Sequence, residues 1–261
     1  MANLNEQVVI VTGSGKGIGK GIAKQLGHKG AKIVVATIDA DFGKETVEEI
    51  IQDGGDAYFV ETDVSKEESI INMVEETVKH YGKINTLVNN AGITVFKSIE
   101  EATVEDWDSI INIDLRGTFL CSKHVIPEMK KQNGGSIINI SSNHSIATLP
   151  DTDMYAAAKG GVNGMTRGMA LSLGKYNIRV NAICPGFTNT AHLKNWFDSM
   201  DNEEEVRQGV LDLHATSRIN EPEDIGKLAQ YLASDDSEMM TGEHLVIDGG
   251  LSARLYNADG Y

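Results

Sequence analysis

Val8-Val9-Ile10-Val11-Thr12-Gly13-Ser14-Gly15-Lys16-Gly17-Ile18-Gly19 is the stretch on which the fold turns. A β-branched run meets a glycine-rich turn, and an amphipathic helical pattern over 17–29 follows at once. Glycines at 13, 17 and 19 let the backbone turn tightly and come close to a pyrophosphate, which then sits at the positive end of the following helix. Gly-rich turns are common, and the strand before and the helix after give this one its meaning. A nucleoside-triphosphate loop would need Gly-Lys followed directly by Ser or Thr. Here Lys16 is followed by Gly17, so that reading fails.

Outward from this turn the same rhythm repeats. Apolar runs at 8–11, 33–35, 57–60, 87–88, 136–140, 179–183 and 244–247 alternate with helical patterns such as 17–29, 42–52, 67–80 and 155–175. The runs lack polar/apolar alternation, as strands covered on both faces should. Strand–helix alternation with short Gly-containing turns implies right-handed crossovers and a parallel sheet. The expectation is one α/β domain over residues 1–261, with a doubly wound, Rossmann-type sheet of seven parallel strands and helices on both faces. One segment, 190–213, is helical but acidic and interrupts the rhythm, and it is the candidate substrate lid.

Bulk properties exclude several partners. The 261 residues carry 23 basic and 38 acidic side chains, a formal charge of −15, which repels nucleic acid and anionic bilayers alike. No apolar run reaches the roughly 18 residues that span a membrane, and no secretory pattern opens the chain, so a cytoplasmic protein is expected. Cys121 and Cys184 lie in apolar surroundings and read as buried free thiols. No His-x-x-x-His or Cys-x-x-Cys pair occurs, so no catalytic metal is expected.

Tyr155 and Lys159 are four apart in Tyr155-Ala156-Ala157-Ala158-Lys159, and so share a helix face. A free phenol is a poor base near neutrality. An ammonium one turn away favours the phenolate, as proton exchange with an alcohol requires. Ser142 follows a buried strand at its carboxyl end, where open α/β sheets bind ligands. An ordinary surface pair at i,i+4 is the simpler account of Tyr155 and Lys159 taken alone, and Ser141 competes with Ser142.

Taken together these motifs resemble the short-chain dehydrogenase/reductase family. The resemblance rests on Thr12-Gly13, Gly17 and Gly19 at the first strand, Asp63-Val64 after the third, and Asn89-Asn90-Ala91-Gly92 after the fourth. Further along it rests on Asn112, on Ser142 with Tyr155 and Lys159, and on Pro185-Gly186. It implies a nicotinamide cofactor held by Gly13, Ser14, Lys16, Gly17, Ile18 and Gly19. Asp63 and Val64 would lie at the adenine, Asn90, Ala91 and Gly92 beside the cofactor, and Pro185, Gly186 and Thr188 on its nicotinamide side. It also implies that Tyr155 exchanges the substrate proton, Lys159 supports it and the ribose, and Ser142 holds the substrate oxygen. Asn112 would support a water-linked proton path behind Lys159. Ser142 is preferred to Ser141 because its separation from Tyr155 matches the family. A homotetramer is implied, with helices near 107–129 and 155–175 between subunits and Leu255 and Tyr256 of the tail against a neighbour.

The cofactor, NAD or NADP, is decided at the end of the second strand, where an acidic residue normally meets the ribose 2′-hydroxyl. Thr37 stands there instead. Lys16 favours a phosphate, whereas Asp39 and Asp41 repel one, and Asp39 can take the acidic role if the strand continues to it. The balance leans to NAD. His144, His192 and Trp196 are candidate substrate contacts, and the polar residues among them suggest a sugar or polyol. A hydroxysteroid dehydrogenase, a 3-ketoacyl reductase and a non-catalytic dinucleotide sensor are the rival readings.

Overall fold

The computed structural model describes residues 4–254. Its elements run β1 (Val8–Thr12), α1 (Gly17–Gly27), β2 (Lys32–Thr37), α2 (Ala40–Gln52), β3 (Asp56–Glu61), α3 (Glu67–Tyr81) and β4 (Thr86–Asn89). The second half runs α4 (Val104–Ile110), α5 (Gly117–Lys131), β5 (Gly135–Ile140), α6 (Asp153–Leu173), β6 (Ile178–Pro185), α7 (Ala191–Asp198), α8 (Glu203–Asp212), α9 (Pro222–Ala233) and β7 (His244–Ile247). The strands form one sheet in the order β3-β2-β1-β4-β5-β6-β7, every pair parallel. The order reverses between β1 and β4, which opens a crevice at their carboxyl ends.

The absence of alternation in the strands has a direct cause. Ile10, Val34, Leu87, Ile137 and Val180 face one apolar layer, into which α3, α5 and α6 deliver Ile70, Met73, Val125, Met129 and Leu173. Their neighbours Val9, Val11, Val35, Val88 and Ile183 face the opposite layer, filled by Ile22 and Leu26 of α1 and by Ile225 and Leu232 of α9. Side chains still alternate between faces, but both faces are buried, so both must be apolar. Each such side chain contributes roughly 1.5–3 kcal/mol by leaving water.

Two features differ from the sequence reading. The helix expected over 107–129 is interrupted by a π-helical turn, Ile111–Arg116, between α4 and α5. Such a widened turn re-aims side chains, often at a functional site. The 190–213 segment is two helices, α7 and α8. Leu193, Phe197 and Val210 make a small core of their own there, backed by Phe187, Trp196 and Val206. The tail contacts expected of Leu255 and Tyr256 lie outside the described residues.

Cys121 and Cys184 are both buried and unpaired. Burial pushes the Cys121 thiol up to about 12 and raises that of Cys184 as well. A buried thiol that stays protonated is inert. Neither cysteine is therefore expected to react with an aromatic disulfide reagent in the native protein, and both should react in denaturant. Rapid labelling of the native protein would put a thiol at the surface.

Candidate active site

The turn after β1 is stapled to the end of β4. Thr12 Oγ1 accepts from the backbone N–H of Asn90 (3.0 Å) and of Ala91 (3.1 Å). The Asn90 amide donates back to the carbonyls of Thr12 (2.9 Å) and Gly13 (3.2 Å). Gly13 and Gly17 have φ of +64° and +57°, a region that side-chain-bearing residues avoid. Gly19 is required for space: a Cβ there would lie 2.4 Å from the Gly13 carbonyl oxygen. Ser14 donates to the carbonyl of Val11 at 2.6 Å and so shapes the turn from inside.

The first turn of α1 has no side-chain cap and no acidic residue. Lys16, Gly17 and Ile18 at this helix start border the cleft, and uncapped amides at the positive end of a helix suit a pyrophosphate. The turn therefore fits the cofactor that the sequence implies.

At the adenosine end the structure brings one correction. β2 stops at Thr37, so Asp39 does not continue the strand; its carboxylate caps α2, accepting from the N–H groups of Asp41 and Phe42. An Asp at a helix N-terminus satisfies amides that otherwise have no partner, and this ends the strand before Asp39. Thr37 is buried, Ile38 is exposed, and the Lys16 ammonium lies 5.1 Å from the centre of the Phe42 ring. Asp63 accepts from the backbone and hydroxyl of Ser65 and pairs with Lys66 at 3.0 Å. Although burial opposes it, these contacts hold its carboxyl below the usual range. Val64 is buried against Gly117.

A cleft of about 930 Å³ opens beside the turn. It gathers Lys16, Gly17 and Ile18 from the turn, Gly92 after β4, and Pro185, Gly186 and Thr188 after β6. Ser142, Tyr155 and Lys159 line it too, as do His144, His192 and Trp196. Thr37, Asp39, Asp63, Val64 and Asn112 do not line it.

Ser142 lies two residues past the end of β5, and its hydroxyl accepts the N–H of His144 at 3.2 Å. The neighbouring Ser141 also borders the cleft, but its hydroxyl is committed to the Lys159 carbonyl at 3.1 Å. Tyr155 stands half-buried in the first turns of α6. The His144 ring meets it edge-on at 5.6 Å and bonds the Thr148 hydroxyl through Nδ1 at 2.8 Å. Burial holds the His144 imidazole below its ordinary value, which favours the neutral ring. Lys159 is buried with its Nζ 5.4 Å from the centre of the Tyr155 ring, and it donates to the Ile140 carbonyl at 3.2 Å. Among the described residues no three His, Cys, Asp or Glu side chains gather as a metal site would.

Behind Lys159 lies a residue the sequence reading passed over. Asp114, in the π-helical turn, places Oδ2 3.0 Å from Lys159 Nζ, and both side chains are buried. Its Oδ1 accepts the N–H of Ile93 at 2.9 Å. Gly92 makes room: a Cβ there would lie 2.8 Å from Asp114 Oδ2. Asn112, expected to support a water-linked path behind Lys159, makes no direct side-chain hydrogen bond among the described residues; the residue of this turn that reaches Lys159 directly is Asp114. The signal was present in the sequence as a carboxylate inside the apolar run Ile111-Asn112-Ile113-Asp114-Leu115, because a buried carboxylate needs a partner. Burial works against the Lys159 charge, but the Asp114 carboxylate outweighs it and raises the lysine above its ordinary value.

An open parallel sheet with a phosphate-cradling turn, and with a Ser, a Tyr and a Lys in the cleft beside it, defines a dinucleotide-dependent oxidoreductase. Residues 13–252 match the family model described as enoyl-(acyl carrier protein) reductase. An uncharacterized oxidoreductase of Thermotoga maritima is 39% identical over 97% of this chain and 98% of its own. Glucose 1-dehydrogenase 2 of Bacillus subtilis is 37% identical over 96% of each chain. A 7α-hydroxysteroid dehydrogenase solved with NADH and 7-oxo glycochenodeoxycholic acid superposes with a TM-score of 0.90. It is 33% identical and covers 95% of each chain. The chain belongs to the short-chain dehydrogenase/reductase family. It is an NAD(P)-dependent oxidoreductase acting on CH–OH groups.

Proposed function

We propose that the enzyme interconverts a secondary alcohol and a ketone on a compact polyhydroxylated substrate, a sugar or polyol, with NAD. The observation that carries the reading is the meeting of Ser142, Tyr155 and Lys159 in one cleft beside the turn after β1. The bound nicotinamide supplies the two-electron acceptor or donor. Ser142 orients the substrate oxygen by hydrogen bonding. During oxidation Tyr155 takes the hydroxyl proton as the carbon loses hydride; during reduction it returns that proton to the carbonyl oxygen. Lys159 stabilises the phenolate and holds the ribose hydroxyls.

The cleft carries Asn143, His144, Thr148 and Asn195 together with the aromatic faces of Phe187 and Trp196. Polar groups with an aromatic platform suit a hydroxylated ring, and α7 and α8 (190–213) serve as the lid over it. A steroid ketone is the second reading, favoured by Ile93, Phe96 and Leu149 along the same cleft. A carrier-protein substrate is disfavoured by the −15 charge, since such acidic partners dock on basic surfaces.

Asp39 and Asp41 stand at the adenosine end, where a 2′-phosphate would add like charge. NAD is therefore expected to bind more tightly than NADP by roughly tenfold, about 1.4 kcal/mol, measured by quenching of intrinsic fluorescence. The reaction is tested by following the reduced-nicotinamide band with both cofactors against sugars, polyols and steroid alcohols. Turnover of sugars or polyols with NAD supports the reading; turnover of steroids alone, or with NADP alone, overturns it.

Trp107, Phe119 and Leu171 are exposed on the helices expected between subunits, which supports a homotetramer, checked by light scattering. The two unpaired cysteines support a cytoplasmic enzyme. No helix among the described residues is long and apolar enough to cross a membrane.

A further inference from the structure

We propose that Asp114 sets the pH range of the reaction by closing Lys159 into a buried pair of zero net charge. The inference rests on the reading that Tyr155 exchanges the substrate proton. Four titratable groups face this spot from the elements packed around it: Asp114 from the π-helical turn, Tyr155 from α6, Cys184 from β6 and His144 from the turn after β5. Burial favours the protonated Cys184 thiol and the neutral His144 ring. The charges that act on the Tyr155 proton are therefore those of Lys159 and Asp114.

Asp114 exerts two opposite influences. It keeps the buried Lys159 protonated, which favours the phenolate, and it cancels most of the field that Lys159 projects onto Tyr155, which disfavours it. The balance is decided by counting charge over the whole site. With Asp114 present, release of one proton takes Asp114, Lys159 and Tyr155 from zero to −1. With a neutral residue at 114, the same release takes the site from +1 to zero. Burial penalises the first change and assists the second. The sign is the same whether the proton leaves the ammonium or the phenol, because the two sites titrate as one coupled system. Asp114 thus moves proton release upward in pH and favours turnover in the alkaline range for alcohol oxidation.

Oδ2 accepts no hydrogen bond of good geometry, so what it meets is the Lys159 charge at 3.0 Å. Oδ1 is anchored by the Ile93 amide. Asp114 is a positioning residue, since it acts on the reaction through Lys159.

The test is the pH profile of kcat/KM for alcohol oxidation in wild type, Asp114→Asn and the smaller neutral variant Asp114→Ser. Thermal unfolding and cofactor binding confirm that each variant is folded. The acid limb of the profile is expected to fall by about one pH unit or more in either neutral variant. A limb that stays at the wild-type pH in a folded neutral variant overturns the proposal, because a merely structural role lowers activity evenly across pH. Tyr155→Phe separates the two claims. If it retains turnover, the proton-transfer reading fails; if it is inactive while the limb of Asp114→Asn is unmoved, the charge-setting inference alone fails.

Discussion

Tyr155→Phe is expected to lower kcat by about 10²- to 10⁴-fold, the usual contribution of a positioned acid/base, while the fold and cofactor affinity are kept. The substitution removes one oxygen. The ring remains, and with it the edge contact with His144 at 5.6 Å and the packing beside Lys159. No hydrogen bond from the Tyr155 hydroxyl is formed among the described residues, so no internal partner is left unsatisfied when it goes. The loss should therefore lie in the chemical step, with cofactor binding within about threefold of wild type, a difference of well under 1 kcal/mol. Steady-state kinetics with a fluorescence titration of the cofactor separates the two. Turnover within tenfold of wild type would remove Tyr155 from the proton-transfer role, and a lost fold would move it into the structural frame.

The second large effect is expected at Gly19. In an ordinary helix Ala is better than Gly by about 1 kcal/mol. At this position a Cβ would lie 2.4 Å from both the Gly13 carbonyl oxygen and the Asn90 amide nitrogen. Those atoms form the staple between the ends of β1 and β4: the Gly13 oxygen is backbone, and the Asn90 side-chain nitrogen can swing away only by giving up its bonds to the Thr12 and Gly13 carbonyls. Overpacking of this kind costs about 1–3 kcal/mol, and each disrupted hydrogen bond adds about 1 kcal/mol. The clash outweighs the helix preference. Gly19→Ala should therefore lower stability by about 3 kcal/mol, seen as a lower urea midpoint at constant slope. Cofactor affinity should fall with it, because the turn that faces the pyrophosphate is displaced. Gly209→Ala is the matched control: it lies on an exposed face of α8 with no atom within 4 Å of the added Cβ. It should stabilise by about 0.5–1 kcal/mol. Equal effects at the two sites would show that space at Gly19 is not what the turn requires.

The sequence alone determined the parallel sheet, the glycine turn and the shared face of Tyr155 and Lys159. Each of these is written in local periodicity: unbroken apolar runs for strands covered twice, glycine at backbone angles closed to other residues, and a four-residue spacing within one helix. Ser142 was legible for the same reason, as a hydroxyl at the end of a buried strand. The tertiary structure decided what depends on how elements meet. Asp39 leaves the cofactor strand because capping α2 ends β2 at Thr37, a competition between two local structures that residue pattern does not settle. Asn112 and Asp114 are two residues apart, so they point to different sides of their helix. Which of them reaches Lys159 is fixed by the π-helical turn and by the packing of that turn against α6. A carboxylate and an ammonium far apart in the chain become a buried pair only when the sheet brings their helices together. The charge that governs the reacting proton is therefore a property of the folded molecule.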